Sequence, residues 1–296
     1  MNAKIMITII LTALLNLLCA VFITNTVARG IAAVLVSVVG IGLIIIFLAK
    51  PIYDMKMRLR NVQQENDELE RMRSEFVSNV THELKTPLTS ISGFVETLQN
   101  GAIEDPEIRT KFIDIIAIET DRLKRLIDDV LVLSNIENEI DVPSEQIDVG
   151  ASIDTVMEMM LPIAESKGIE LINEVESDLT VSGDSDRFRQ LFMNLVENAI
   201  KYSDEGGRVW ITGYMSEGHL QMAVSDEGIG IEPENIDKIF MRFYRVDKSR
   251  SNKVGGTGLG LSIVKHIASL FGAAITVDSK VGKGSTFYVT FPEQKK

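Results

Sequence analysis

The chain has 296 residues, enough for about two domains and accessory segments at roughly 100–200 residues per domain. Its 30 basic and 42 acidic residues give a net charge of −12, which argues against nucleic acid as a direct partner, because phosphate backbones need a basic surface. The single cysteine, Cys19, excludes a disulfide framework within the chain and a multi-cysteine metal cage; in its apolar run it reads as a small buried hydrophobe rather than a reactive thiol.

Residues 5–24 and 31–49 are two nearly uncharged runs of about 20 residues, the length that crosses a hydrocarbon core of roughly 30 Å as a helix. Only Asn25-Thr-Val-Ala-Arg-Gly30 separates them, so residues 1–50 read as a tight transmembrane hairpin. A cleaved signal peptide is the alternative for the first run, but no small-residue cleavage site leads into a soluble domain and a second span follows at once. Lys4 precedes the hairpin, and Lys50, Lys56, Arg58 and Arg60 follow it, while the loop carries only Arg29. By the positive-inside rule both termini are cytoplasmic. The expectation is a multi-pass protein of the cell membrane with no extracellular ligand-binding domain.

After Pro51 a seam recurs at alternating steps of four and three: Met55, Leu59, Val62, Asn66, Leu69, Arg73, Phe76 and Val80. That is the spacing of a coiled coil, and the polar Asn66 and Arg73 would fix its register. Residues 51–71 therefore read as a coiled-coil signalling helix paired with its twin, an ordinary surface helix being the alternative. The apolar face continues through Leu84, Leu88, Ile91, Val95 and Leu98 and leaves His82 and Thr86 facing water, with Glu83 adjacent. Pro87 should bend the helix just beyond. Gly101, Asp105 and Pro106 mark a turn, and Phe112, Ile116, Glu119, Leu123, Leu126, Val130 and Leu133 then follow a second helical period. Two such helices over residues 72–138, doubled in a homodimer, would make an antiparallel four-helix bundle.

From about residue 146 the pattern turns mixed, with helices expected over 149–167, 184–202 and 259–271. Strands are expected over 169–175, 208–214, 220–225, 274–278 and 285–291, giving a two-layer α/β sandwich over 146–296. Three clusters stand out. Asn194, Asn198 and Lys201 share one helix face, where amide oxygens and an ammonium suit a hard cation and phosphate; a plain polar face is the alternative. Asp226-Glu-Gly-Ile-Gly-Ile231 follows a strand, and an ordinary loop could read the same way. Gly255-Gly-Thr-Gly-Leu-Gly-Leu261 opens the last helix, where backbone N–H groups bind phosphate. It is neither a Walker loop nor a dinucleotide fingerprint, since the Lys-Ser/Thr pair and a framing βαβ unit are both missing.

An exposed histidine alone is ordinary, but His82-Glu-Leu-Lys-Thr-Pro-Leu88 resembles the phosphoacceptor motif of two-component histidine kinases. The three later clusters, in this order, resemble the nucleotide boxes of the GHKL superfamily of ATPases and kinases. The resemblance runs from about residue 70 to 292, includes Ile239-Phe-Met-Arg-Phe-Tyr-Arg-Val-Asp247, and points to the branch of phosphate-regulon and cell-wall sensor kinases. It implies that His82 is the nucleophile, that Glu83 orients it and takes its proton, and that Thr86 positions water for removing phosphate from the partner. It implies ATP and Mg²⁺, with Asn198 on the metal, Asn194 beside it, and Lys201, Tyr202 and Arg245 on the phosphates or the lid. Asp226, Gly228 and Gly230 would form the adenine pocket, and Gly256, Thr257, Gly258, Leu259 and Gly260 the triphosphate side, under a mobile lid at 233–254.

Two positions depart from the pattern. Met241 replaces a residue usually acidic, and Asn194 stands where ATP-hydrolysing members carry the glutamate that activates water. The expected activity is autophosphorylation of His82 from ATP, then transfer to an aspartate of a separate response regulator. A net phosphatase and a GHKL ATP-binding scaffold without kinase activity are the alternatives. The expected input is the membrane itself or an accessory membrane protein, read by the hairpin.

Overall fold

The computed structural model describes residues 3–22, 25–138, 145–246 and 256–293, so Gly255 and most of the basic end of the expected lid lie outside the described residues. The chain divides into two units, residues 1–75 and 76–296.

In the first unit, α1 (Ala3–Phe22) is followed by the start of α2 (Thr26–Gln99). Asn25 sets that start: its side chain accepts from the Val27 N–H at 3.0 Å and its carbonyl from the Arg29 N–H at 3.1 Å. An asparagine cap of this kind satisfies donors that a helix start leaves open. The connector is therefore shorter than the six residues of the sequence reading. The two helices touch through small and polar groups, with Asn16 Nδ2 donating to Ser37 Oγ at 3.3 Å and Gly40 set tightly against Thr12. The segment Thr26–Phe47, with mean hydropathy 2.8, is long and apolar enough to cross a membrane, and Met6–Phe22 is a shorter apolar helix. Neither Pro51 nor Pro87 ends α2, which runs as one α-helix to Gln99.

In the second unit, the end of α2 meets α3 (Pro106–Asn138), with the Phe94 and Phe112 rings 4.9 Å apart. Gly101, at φ 108°, turns the chain. Asp105 then caps α3, accepting from the N–H groups of Glu107 at 2.9 Å and Ile108 at 3.2 Å, with Pro106 at the first helical position.

The remainder is a mixed five-stranded sheet with helices packed on one face. Its strands are β2 (Glu170–Val175), β4 (Arg208–Ser216), β5 (His219–Asp226), β6 (Ala274–Lys280) and β7 (Gly284–Thr290), in the order β2-β4-β5-β7-β6. Only β2 and β4 are parallel. A separate antiparallel pair, β1 (Glu145–Asp148) with β3 (Thr180–Gly183), was not legible in the sequence. Helices α4 (Val149–Ser166), α5 (Ser185–Tyr202) and α6 (Gly260–Leu270) cover the apolar face formed by Val209, Ile211, Leu220, Met222, Val224 and Val289. Asp148 and Asp184 cap α4 and α5 through Ala151 and Arg187. Phe188 lies at the centre of the core, fully buried, with the rings of Phe192, Phe271 and Phe291 within 6.2 Å. Phe188→Ala is expected to cost about 3–5 kcal/mol, read by denaturant unfolding followed at Trp210, the single tryptophan.

Candidate functional site

Helix α5 buries Phe188, Leu191, Phe192, Leu195, Val196, Ala199 and Ile200 on one stripe. Asn194, Asn198 and Lys201 lie outside that stripe and line a cleft of about 750 Å³. The cleft also collects Tyr202, Asp226, Gly230, Arg245, Gly256, Thr257, Gly258 and Gly260. Two expected residues do not line it. Gly228 backs the Asp226 loop, and Leu259 is fully buried in the core beneath the glycine-rich segment.

One wall carries Asp226, whose Oδ1 accepts from the N–H groups of Gly228 at 2.9 Å and Ser285 at 3.2 Å. Burial still pushes its carboxyl above the ordinary range, against the pull of those two bonds. Another part of the lining is cationic. The Lys201 ammonium lies against Gly256, where any side chain would collide with it, and 5.2 Å from the Tyr202 ring centroid. Burial, helped by the nearby Arg245 charge, lowers its pKa to about 8. Burial also lowers that of Arg245, with Arg122 adding to the effect. Nη2 of Arg245 is buried with no hydrogen-bond partner among the described residues. Two desolvated cations in one cleft, one of them carrying that orphaned donor, fit an anionic ligand, which would satisfy both.

Helix α3 supplies a third wall through Arg122, Arg125 and Asp129. Thr257 donates to Asp129 Oδ2 at 2.6 Å and accepts from the Leu259 N–H at 3.2 Å, tying the glycine-rich segment to α3. Burial raises the Asp129 carboxyl although the Thr257 bond opposes this. A second tie runs through Phe243. Its N–H donates to Gly258 O at 2.9 Å and its ring lies 5.9 Å from that of Phe76 on α2, while Arg242 sits over the same Phe76 ring. Gly258 needs its lack of a side chain here, since it has φ +74° and the Phe243 backbone is in contact.

His82 is outside the cleft, with 81% of its side chain exposed. Its Nδ1 lies 3.9 Å from Glu83 Oε1, beyond a hydrogen bond, while Glu83 Oε2 is held by Arg122 at 3.3 Å. Thr86 is one turn on, its hydroxyl bonded to the His82 carbonyl at 3.2 Å.

A family model for the His Kinase A (phospho-acceptor) domain matches residues 72–139. A second, for histidine kinase-, DNA gyrase B- and HSP90-like ATPases, matches residues 183–295. The chain is 38% identical over 232 residues to the sensor histidine kinase WalK of Bacillus subtilis, covering 77% of this chain and 38% of that protein. The chain belongs to the bacterial two-component sensor histidine kinases. Among solved structures, histidine kinase ThkA in complex with response regulator protein TrrA matches with a TM-score of 0.64 at 27% identity, over 77% of this chain and 64% of that one. Full-length ShkA in complex with AMPPNP matches with a TM-score of 0.55 at 30% identity, over 74% of this chain and 45% of that one.

Several contributors to this kinase-family site were not singled out from the sequence. Ser285 steadies Asp226 from a strand 59 positions later, and only strand pairing brings the two together. Arg122 and Asp129 look like any other charge on an amphipathic helix until their partners are in place. Thr257→Val is expected to cost about 1–3 kcal/mol, because it leaves the buried Asp129 carboxylate unpaired. Adding Asp129→Leu should recover part of that loss, and a double-mutant cycle in urea would measure the coupling.

Proposed function

We propose that the chain is a membrane-anchored protein-histidine kinase that phosphorylates His82 from ATP and passes the phosphoryl group to an aspartate of a response regulator. The observation carrying this is the cleft, which the desolvated Lys201 and a buried Arg245 nitrogen, without a partner among the described residues, line together with the glycine-rich opening of α6. Adenine would sit against Asp226, its exocyclic amine donating to the carboxylate, beside Gly228 and Gly230. The triphosphate would lie along Gly256, Thr257, Gly258 and Gly260, over buried Leu259, with Lys201, Tyr202 and Arg245 around it. Among the described residues no three His, Cys, Asp or Glu side chains gather as a metal site. Asn198, with Asn194 beside it, fits Mg²⁺ that arrives with the nucleotide, since this ion keeps waters and takes most of its ligands from phosphates.

In the transfer, one imidazole nitrogen of His82 bonds to the γ-phosphorus as the bond to the ADP oxygen breaks, and ADP leaves with the electron pair. The proton on the other nitrogen passes to Glu83. Positioning and charge neutralisation supply most of the rate. Arg122 holds Glu83 beside the cleft, and Glu83 in turn acts on the charge of Arg245. Thr86, on the exposed face with His82, would orient water in the reverse service of dephosphorylating the regulator.

The same reading makes residues 1–50 a two-span hairpin with both termini cytoplasmic, in the cell membrane. The Asn16–Ser37 bond and the Thr12–Gly40 contact support it, since small and polar residues join helices in lipid. It also makes residues 51–71 a coiled coil and 72–138 half of a dimeric four-helix bundle. Met55, Leu59, Val62 and Leu69 are all more than half exposed in the single chain, as a seam awaiting its twin would be. An accessory membrane protein, or the bilayer, would be the input.

Incubation with γ-labelled ATP and Mg²⁺ is expected to leave acid-labile label on the parent and none on His82→Gln. Label on neither, with ATP still bound, would put the scaffold in place of the kinase. Affinity for ATP should also fall above about pH 8. The free Lys201 loses its proton there, whereas bound phosphate raises its pKa, so binding takes up a proton. Below that pH the lysine is charged in both states and the dependence on this group flattens. Isothermal titration at pH 7 and 9 should show the drop in the parent and its loss in Lys201→Met.

A further inference from the structure

Helix α5 ends at Tyr202 without a glycine cap, so its last carbonyls must find partners elsewhere. Ala199 O accepts from the N–H of Ser203 at 3.1 Å and from its hydroxyl at 2.8 Å. Tyr202 O accepts from the Ile229 N–H at 3.2 Å. Those of Ile200 and Lys201 are taken by one ammonium: Lys167 Nζ donates to them at 2.8 and 2.7 Å, and to Ser203 O at 2.7 Å. All three ammonium donors are used, at the negative end of a helix dipole. Lys167 comes from another element, the C-terminal cap of α4, and it lines the same cleft. The turn it holds carries Lys201, and the next carbonyl, that of Tyr202, anchors the loop after β5. A side chain at Gly228 would collide with that carbonyl.

We propose that Lys167 is a positioning residue for nucleotide binding. It fixes the last turn of α5, and so sets where the Lys201 ammonium stands on the phosphates and where the Asp226–Gly230 loop stands on the base. It need not touch the nucleotide. The inference rests on the nucleotide reading above and goes beyond it, because it gives binding a determinant in α4, outside the three clusters. A residue that served folding alone would change stability and leave affinity unmoved. Lys167 is expected to act on affinity, and on KM rather than kcat, since His82 and Glu83 are on other elements.

The test uses the full-length chain in lipid nanodiscs, with Mg²⁺–ATP as the probe. The measurements are the Kd, the KM and kcat of autophosphorylation, and the Tm. Lys167→Met, which keeps the length and loses the donors, should raise Kd and KM by about tenfold or more, with kcat at saturating ATP within about twofold of the parent. Lys167→Arg keeps the charge, but its planar fork cannot converge on three carbonyls, so Kd should rise about threefold or more with the fold intact. A folded Lys167→Met with parental Kd and KM and only a lower Tm would overturn the proposal. Should that variant not fold, parental affinity in Lys167→Arg would overturn it equally. A parent that binds no ATP sinks the nucleotide reading and this inference together, an outcome distinct from failure of the Lys167 variants alone.

Discussion

Everything in the C-terminal half depends on how α5 is seated. Seven residues of one stripe, from Phe188 to Ile200, are buried against the sheet and the neighbouring helices, and this fixes the rotation of the helix about its axis. One residue of slip would turn it by about 100° and carry Asn198 and Lys201 out of the cleft. The core therefore aims the polar face: apolar burial at 188, 191, 192, 195, 196, 199 and 200 holds the amide of Asn198 and the ammonium of Lys201 at one wall.

That aiming has an electrostatic cost. Lys201 and Arg245 lose hydration, and a neighbouring guanidinium adds to this in each case, Arg245 beside Lys201 and Arg122 beside Arg245, so both are pushed toward their neutral forms. Asp226 and Asp129 line the same cleft, are desolvated by burial and are pushed the same way. A fold selected for stability alone would pair these groups or leave them out. Keeping two cations in one cleft, one with a buried nitrogen that has no partner among the described residues, makes sense where a polyanion supplies the missing partners, and perturbed groups of this kind concentrate at functional sites.

How much of this the sequence discloses follows from how local each signal is. The stripe of α5, the glycines at 256, 258 and 260 and the string around His82 are each contained in a short window, so periodicity and resemblance reach them. The pairing of β1 with β3 joins Glu145 to Gly183 through strands of four residues, too short to carry an alternation of their own. The start of α2 moved to Thr26 because Asn25 caps it, a short-range effect that an apolar run overshadows. Asp129, Arg122 and Lys167 are invisible for a different reason. A charge on a helix looks the same in sequence whether it meets water or a carbonyl 34 residues away, and only the fold supplies the partner.

The exposed His82 and the occupied cleft walls impose a last constraint. The transfer proposed above needs the histidine to meet the γ-phosphate, yet His82 is not among the residues lining the cleft. Among the described residues, polar and aromatic contacts tie the glycine-rich segment to the helical hairpin of α2 and α3, beside the apolar packing of α6 against α3. These contacts include the hydrogen bond from Thr257 to Asp129, the ring pair Phe76–Phe243 and the Arg242 guanidinium over Phe76. Polar and aromatic contacts of this kind are worth about 1 kcal/mol each. A ligand that prefers one of two states by about 5.5 kcal/mol moves an equilibrium from one part in a hundred to ninety-nine. Nucleotide phosphates contacting Thr257 and Gly258 would compete directly with the Asp129 contact, so the ligand and the docking share the same atoms. On the nucleotide reading proposed above, a coupling between filling the cleft and loosening the segment would need no distant pathway, because phosphate and Asp129 would meet at the same Thr257 hydroxyl.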